Sequence, residues 1–375
     1  MPAKEKKNKF FTKGSCDTII IIVTIMLVAL GLIMVLSASS PASLSESGDS
    51  YKYFKKQLIA TIGGIAALIV VSRIDYSIYK KFKWIIYIVI VSLLFLVGIM
   101  GMSAGGATRW INIAGFNFQP SEISKVAFIV FFAIVLTELK ENKRINTLKG
   151  FVIPMLFLVA PVIAIFIVQN HFSATLIIVL ITCIQMFVAG VSLKYFVVVA
   201  VGGIGAVIGI LSSGSFRTTR IETWLNPFSD PTGDGWQIIQ SLYAIGSGGV
   251  FGAGLGESKQ KYLYLPEPQN DFIFSVLAEE LGFFGCIVVI VLFFLFIWRG
   301  IVIAMKARDT LGCLIAIGIV SLIGIQAVIN MAVVTGTIPV TGMPLPFFSY
   351  GGTAILTNLV AVGILLNISR SCSKK

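Results

Sequence analysis

The feature that most constrains this chain is a succession of ten apolar runs, each close to the length needed to cross a bilayer as a helix. Only 12% of the residues are charged and 57% are hydrophobic, too little charge to cover a soluble globular surface. The sequence therefore predicts an all-α integral membrane protein with ten transmembrane helices. It excludes a water-soluble enzyme and a disordered or fibrous protein. The runs cover residues 18–38, 57–72, 84–102, 122–138, 150–168, 173–190, 195–212, 272–298, 310–334 and 350–368.

The basic residues predict the orientation. With the N-terminus in the cytoplasm, 20 of the 29 lysines and arginines fall in cytoplasmic segments and 9 fall outside, as the positive-inside rule requires. Both termini are therefore expected in the cytoplasm, and the net charge of +12 needs no nucleic-acid partner to explain it. The expected organisation is a basic tail (1–17), a single membrane domain (18–368) with a large outer loop (213–271), and a second basic tail (369–375).

Three segments on the outer side mix polar residues, glycine and proline: 103–121, 213–271 and 335–349. Eleven of the 17 carboxylates also belong to the outer half of the chain. Irregular backbone is tolerated at membrane depth only where protein or a polar cavity surrounds it. Since the three segments share one side of the membrane, we expect them to converge on an outward-facing polar site.

The most informative carboxylate is Asp271. Pro266 and Pro268 end the preceding segment and Asn270 is a suitable N-cap, so Asp271 is expected in the first turn of the eighth helix. Two roles fit this position. The carboxylate could complement the helix dipole, or it could be a catalytic base whose pKa the helix N-terminus lowers. The spacing does not choose between them.

Glu279 and Glu280 follow eight and nine residues later, about 12–13 Å deeper along a helix. Ionisable groups at such depth face a bundle interior or a cavity. The two side chains point away from the face of Asp271, so we favour a structural, partner-bonded role for them.

Other charged residues allow two interpretations each. Glu122 and Lys125 have the i, i+3 spacing of an intrahelical ion pair, which either neutralises itself or lines the outward cavity. Arg109, Arg217 and Arg220 either fold the loops or bind a phosphate-bearing ligand. The single histidine, His171, lies in a very short turn between two runs and is interpreted as a polar turn residue.

Five segments of the outer half stand out: GATRWI (106–111), QPSE (119–122), the segments 225–249 and 254–283, and PVTGMPLPFFSYGGT (339–353). With these segments the sequence resembles the SEDS family (shape, elongation, division and sporulation), the family of FtsW, SpoVE and RodA, and is most similar to FtsW and SpoVE. It departs from the family at Thr108, where an arginine is common, and at Asn170–His171, where a Pro-Asp pair is common.

This resemblance implies a ten-span peptidoglycan glycosyltransferase that polymerises lipid II at the outer face of the bacterial cytoplasmic membrane, during cell division or sporulation. The essential acidic residue of the family corresponds to Asp271, which favours the catalytic role. The candidate substrate-binding residues are Arg109, Gln119, Ser121, Glu122, Lys125, Arg217, Arg220, Glu267, Ser349 and Tyr350.

The expected reaction is an inverting glycosyl transfer in which Asp271 accepts a proton from the acceptor hydroxyl. Arg109, Arg217 or Lys125 would meet the charge of the leaving pyrophosphate, or a divalent cation such as Mg²⁺ or Mn²⁺ would do so; no other cofactor is expected. The resemblance implies a class B penicillin-binding protein as transpeptidase partner, besides other division or sporulation membrane proteins. A lipid II flippase and a non-catalytic division scaffold are the alternatives, although the polar groups gather on one face rather than at the midplane typical of transporters.

Overall fold

The computed structural model describes residues 14–104, 107–113, 116–212, 222–233, 235–262 and 264–372. Within these ranges the chain is a bundle of long helices. The helices are α1 (Thr18–Ser47), α2 (Lys52–Val71), α3 (Lys83–Met100), α4 (Pro120–Glu141), α5 (Leu148–Val162), α6 (Phe172–Ala189), α7 (Lys194–Ser212), α8 (Trp236–Ser247), α9 (Ile273–Met305), α10 (Thr310–Val334) and α11 (Gly352–Ser371).

Eight of the described helices are long and apolar enough to cross a membrane: α1, α2, α3, α5, α6, α9, α10 and α11. A 3₁₀ turn (Tyr76–Phe82) precedes α3, and α5 continues as a π-helix (Ile163–Val168). The other two apolar runs of the sequence coincide with α4 and α7. Because α4 carries charged residues at both ends, length and hydropathy do not identify it as a span. The count of ten spans stays a prediction.

The centre of the bundle is α4, which contacts α3, α6, α10 and α11. Phe128, Phe131 and Phe132 of α4 are fully buried. Small residues allow other helices to approach closely, as is common in membrane bundles. A side chain at Gly64 of α2, for example, would collide with Leu359 of α11. This close packing gives the outer ends of the helices a fixed spacing.

The outer segment between α3 and α4 is a small antiparallel sheet of three strands, β1 (Met102–Ala104), β2 (Ala107–Ile113) and β3 (Phe116–Phe118), in the order β1-β2-β3. The expectation of an all-α protein is therefore right for the bundle and incomplete for this segment. The stretch ATRWINI is rich in β-branched and aromatic residues, which favour a strand.

The helix α9 is broken at Gly282, whose φ of 65° is not helical, although the sequence predicted a continuous run. Backbone of the outer loop completes the hydrogen bonds that the break leaves open. Ala253 N–H donates to Glu279 O (2.9 Å) and Phe283 N–H donates to Gly249 O (2.9 Å). The loop backbone thus enters the break and bonds to N–H and C=O groups of the helix that would be costly to leave unpaired in lipid.

The two described ends of the chain meet at one end of the bundle. Asp17 N–H donates to Ser369 Oγ (3.1 Å), and the Arg299 guanidinium lies 2.7 Å from the Asp17 carboxylate. Residues 17 and 369, close to the two ends of the described chain, therefore lie on the same side of the bundle, which agrees with the predicted topology. The three polar segments lie at the opposite end of the helices.

Candidate active site

The three polar segments line one cavity of about 540 Å³, which confirms that they converge. The N-terminal ends of α2 and α11 complete the wall of this cavity. The lining residues that carry the chemistry are Tyr53 and Lys56 from α2, Arg109, Trp110, Asn117 and Gln119 from the first segment, Glu122 from α4, His171 before α6, Glu267, Gln269, Asn270 and Asp271 from the second segment, and Gly342, Pro344 and Tyr350 from the third and its continuation.

Hydrogen bonds fix the second segment against the third. The Glu267 carboxylate accepts bonds from Gln269 Nε2 (3.0 Å) and Asn270 Nδ2 (2.8 Å). Ser349 Oγ donates to Asn270 O (2.7 Å), and Tyr350 N–H donates to Gln269 O (2.8 Å). The backbone just before Asp271 is therefore held from both sides.

The helix α9 begins at Ile273 with Phe272 as its N-cap, so the expectation that Asn270 caps it and that Asp271 lies in its first turn is wrong. The Asn270 side chain is bonded to Glu267 and cannot reach the helix. Asp271 lies instead in the turn before α9, where its carbonyl accepts a hydrogen bond from Asn330 Nδ2 (2.8 Å).

The Asp271 carboxylate has no hydrogen-bond donor among the described residues. Burial and, to a smaller extent, the negative charge of Glu267, opposed by Arg109, raise the pKa of Asp271 to about 6. The predicted lowering of this pKa by the helix N-terminus is wrong, because Asp271 precedes the helix and desolvation dominates. A Cβ at Gly342 would lie 3.4 Å from Asp271 Oδ2, so glycine leaves the space beside the carboxylate open. A carboxylate with such a pKa is ionised at neutral pH and suits general base catalysis.

Glu122 and Lys125 form the predicted ion pair, with 2.6 Å between Nζ and Oε1 and both side chains buried. Glu122 also lines the cavity. The two interpretations of this pair therefore hold together, because the pair neutralises itself while its acidic member faces the cavity. Lys125 does not line the cavity.

His171 differs from a solvent-exposed turn residue. It is only 7% exposed and lines the cavity, and its Nδ1 has no hydrogen-bond partner in the part of the chain that the structure describes. Burial, with smaller contributions from the charges of Arg109 and Lys125, lowers the pKa of His171 to about 3. Next to it, Arg109 Nη2 donates to the Asn170 carbonyl (2.8 Å). The imidazole is therefore neutral.

A family model described as a cell cycle protein, covering FtsW, RodA and SpoVE, matches residues 17–374. The chain belongs to the FtsW/RodA/SpoVE family. It is 42% identical over 360 residues to stage V sporulation protein E of Bacillus subtilis, with 96% of this chain and 98% of the relative covered. It is also 42% identical over 366 residues to a probable peptidoglycan glycosyltransferase FtsW of Trichlorobacter lovleyi, with 96% and 95% covered.

Two solved structures share the fold. One is described as a study of the structural coordination of polymerization and crosslinking by a peptidoglycan synthase complex; it matches with a TM-score of 0.77 and 25% identity, over 95% of this chain and 98% of that one. The other is the rod shape determining protein RodA of Thermus thermophilus, with a TM-score of 0.71 and 24% identity over 96% and 98% of the two chains. The helical class and the family are confirmed.

Against this background, the residues predicted from the sequence divide into three groups. Asp271, Arg109, Gln119, Glu122, Glu267 and Tyr350 line the cavity. Ser121, Lys125 and Ser349 are buried beside it without lining it, and Ser349 instead holds the loop that carries Asp271. Arg217 and Arg220 lie outside the described residues.

Sequence reasoning missed several lining residues. Lys56 is one of the nine outer basic residues that predict the topology, and its exposed side chain also lines the cavity and forms no ion pair with any described residue. The sequence indicates only a turn at His171. The available signal for both was position: each is a polar residue at the outer end of an apolar run. Among the described residues, no three His, Cys, Asp or Glu side chains are grouped so that they could hold a metal ion.

An apolar groove of about 250 Å³ shares α4 and α11 with the cavity. Its upper end is Ile123, the residue after Glu122, and it continues along the bundle over α3. The lining residues are Tyr79, Ile86, Ile123, Val126, Ala127, Val130, Leu356, Thr357, Val360 and Ile364. A polar cavity that adjoins an apolar groove suits a ligand with a polar head and a hydrocarbon tail.

Proposed function

We propose that this protein is a peptidoglycan glycosyltransferase that polymerises lipid II into glycan strands at the outer face of the bacterial cytoplasmic membrane, in cell division or sporulation. The observation that carries the proposal is the Asp271 carboxylate, half-buried in the cavity wall and without a donor among the described residues. Relatives named as peptidoglycan glycosyltransferases, which this chain matches over nearly its full length, supply the reaction class.

In the proposed reaction, Asp271 accepts the proton of the C4 hydroxyl of the acceptor N-acetylglucosamine. The C4 oxygen attacks C1 of the donor N-acetylmuramic acid, and the bond between C1 and the pyrophosphate oxygen breaks. Undecaprenyl pyrophosphate leaves with the bonding electrons, and the configuration at C1 inverts. A positioned base of this kind contributes about 10²–10⁴ in rate.

Among the described residues, the cations that line the cavity are Arg109 and Lys56, and these would meet the charge of the leaving pyrophosphate. Lys125 is less suited to this role than the sequence indicated, because Glu122 already neutralises it. No step is assigned to a divalent cation. The hydrocarbon chain of the donor would occupy the apolar groove along α3, α4 and α11.

We further propose a class B penicillin-binding protein as the partner that cross-links the product strands. Support comes from the matched structure, which is described as a peptidoglycan synthase complex that coordinates polymerization and crosslinking. The distribution of basic residues supports termini in the cytoplasm, and with that topology the cavity would open to the outer side, where lipid-linked precursors would be polymerised.

The proposed function is tested by incubating the purified protein with labelled lipid II, with and without a cognate transpeptidase, and separating the products by size. Glycan strands and released undecaprenyl pyrophosphate are expected. A parallel assay in vesicles measures leaflet exchange of lipid II. Leaflet exchange without any polymer would favour the flippase, and the absence of both activities, with and without the transpeptidase, would favour the scaffold.

A further inference from the structure

His171 is the only histidine of the chain; its backbone is hydrogen-bonded in the turn before α6, and its imidazole lines the cavity. Only 7% of the residue is exposed, and its Nδ1 atom has no hydrogen-bond partner among the described residues. A buried polar atom without a partner is costly, so natural structures usually complete it with a ligand or a water. Because His171 lines the cavity, a bound substrate can supply that partner.

The surroundings of His171 favour an anion. Arg109 of β2, whose guanidinium donates to the Asn170 carbonyl, acts electrostatically on the imidazole. Lys125 of α4 and Glu122, 2.6 Å apart, form a pair without net charge. His171 is also the N-cap of α6, a helix of 18 residues, and its side chain makes no capping bond. The N-terminus of a helix of this length favours negative charge.

We propose that His171, together with Arg109, binds the pyrophosphate group of the lipid-linked donor, an assignment that rests on the proposed function. The neutral imidazole offers one N–H donor and one lone pair. The N–H donates to a phosphate oxygen, while the guanidinium supplies the full positive charge. His171 is thus a substrate-binding residue that positions the leaving group; it takes part in no covalent step.

A direct test is nitrogen NMR of the full-length protein, labelled with ¹⁵N-histidine and purified through a tag without histidine, so that the imidazole signals belong to His171. Three additions are compared: inorganic pyrophosphate, undecaprenyl pyrophosphate and the uncharged undecaprenol. Both pyrophosphates are expected to shift the imidazole signals and to raise the pKa of His171, because a bound anion stabilises the imidazolium. A response to undecaprenyl pyrophosphate alone assigns the site to the lipid-linked form.

Unchanged signals at undecaprenyl pyrophosphate concentrations that inhibit polymerisation would overturn the proposal. So would equal shifts with undecaprenol, which would show that the lipid tail is what His171 senses. Polymerisation of lipid II by the same preparation separates the two claims. Active protein with silent histidine signals refutes this site and leaves the proposed function standing, whereas inactive protein with responsive signals refutes the function and leaves an anion site.

Kinetics of variants provides a second readout. His171→Phe removes both nitrogens and should raise KM for lipid II about tenfold with a smaller change in kcat, whereas His171→Gln keeps a neutral donor and should restore most of the affinity. Inhibition by added pyrophosphate should weaken strongly in His171→Phe and only slightly in His171→Gln. A fall in kcat alone, with KM and pyrophosphate inhibition unchanged in both variants, would contradict a binding role.

Discussion

Asp271 differs completely in its surroundings from Glu279 and Glu280, although these two acidic residues follow it by only eight and nine positions. The Glu280 carboxylate accepts hydrogen bonds from Ser37 Oγ (2.6 and 2.8 Å) and lies 2.8 Å from Lys261 Nζ. Asp271 has no donor to its carboxylate within the described ranges.

Glu279 is satisfied as fully as Glu280. It accepts a hydrogen bond from Ser258 Oγ (2.5 Å) and one from Lys259 N–H (2.8 Å). The predicted partner-bonded role of the two glutamates is confirmed. Through Ser258 and Lys261 they anchor the outer loop to α9, and through Ser37 they join it to α1.

The comparison teaches that burial alone does not identify a reactive carboxylate. Carboxylates whose oxygens are all bonded are committed to the fold, because protonating or moving them breaks the network. A carboxylate with burial but no donor keeps a raised pKa and can exchange a proton with a ligand. The predictions below test this division, from the largest expected effect to the smallest.

Asp271→Asn should lower the rate of lipid II polymerisation by about 10²–10⁴, because the amide cannot accept the proton. Folding should be preserved. Burial opposes ionisation of this carboxyl, so at pH 7 a neutral amide removes a destabilising charge, and the melting temperature should stay or rise. Polymerisation and thermal unfolding of the purified variant measure the two effects. Asp230→Asn, an exposed carboxylate of the outer loop, is the matched control and should change neither.

Lys261→Met should lower the stability of the fold, which Asp271→Asn leaves intact. It leaves the Glu280 carboxylate buried without its cation, which typically costs about 3–5 kcal/mol of folding free energy. Unfolding in mild detergent with increasing denaturant measures the loss, and Lys259→Met, whose side chain is exposed, is the control. Adding Glu280→Gln to Lys261→Met should recover part of the stability. Native stability of the single variant would show that the network does not anchor the loop.

Gly342→Ala should lower both the polymerisation rate and the stability of the fold moderately. Gly342 has a φ of 66°, which costs a residue with a Cβ about 1–2 kcal/mol. The added methyl would also contact Asp271 Oδ2, so activity should fall by more than the loss of stability explains. Gly336→Ala, at a φ of 68° but with its nearest neighbours 3.8 Å or more from the added Cβ, controls for the backbone strain. Equal loss of activity in both variants would contradict a specific contact with Asp271.

Glu267→Gln should have the smallest effect. Since the charge of Glu267 helps to raise the pKa of Asp271, its removal should move the acidic limb of the pH–rate profile to lower pH, by less than one unit. The matched measurement is the same profile for the wild-type protein. A shift to higher pH would show that Glu267 acts on Asp271 through the loop bonds to Gln269 and Asn270 rather than through charge.

The sequence predicted the parts of this molecule that depend on local pattern. Apolar runs of sufficient length gave the helices, the positions of the basic residues gave termini on one side, and the i, i+3 spacing gave the pair of Glu122 and Lys125. The convergence of the three outer segments followed from topology alone.

What the sequence could not supply depends on contacts between distant segments. A helix N-terminus would lower the pKa of Asp271, but the pKa is raised, because Asp271 precedes the helix and lies buried in a cavity that distant segments of the chain build together. Asn270 is a good N-cap by type, yet Glu267 engages it. Lys261 belongs to the outer loop by sequence, and the structure buries it against Glu280. The break at Gly282 requires the inserted loop and is invisible in hydropathy.

The central claim is that one carboxylate of this cavity is left without partners so that it can accept a proton. The pH dependence of kcat/KM for lipid II polymerisation tests this most directly, because it reports the pKa of the base in the free enzyme. With Asp271 as that base and its pKa at about 6, the rate should be constant above pH 7 and fall about tenfold for each pH unit well below 6. A rate that stays constant from pH 7 down to about 5 would contradict the account.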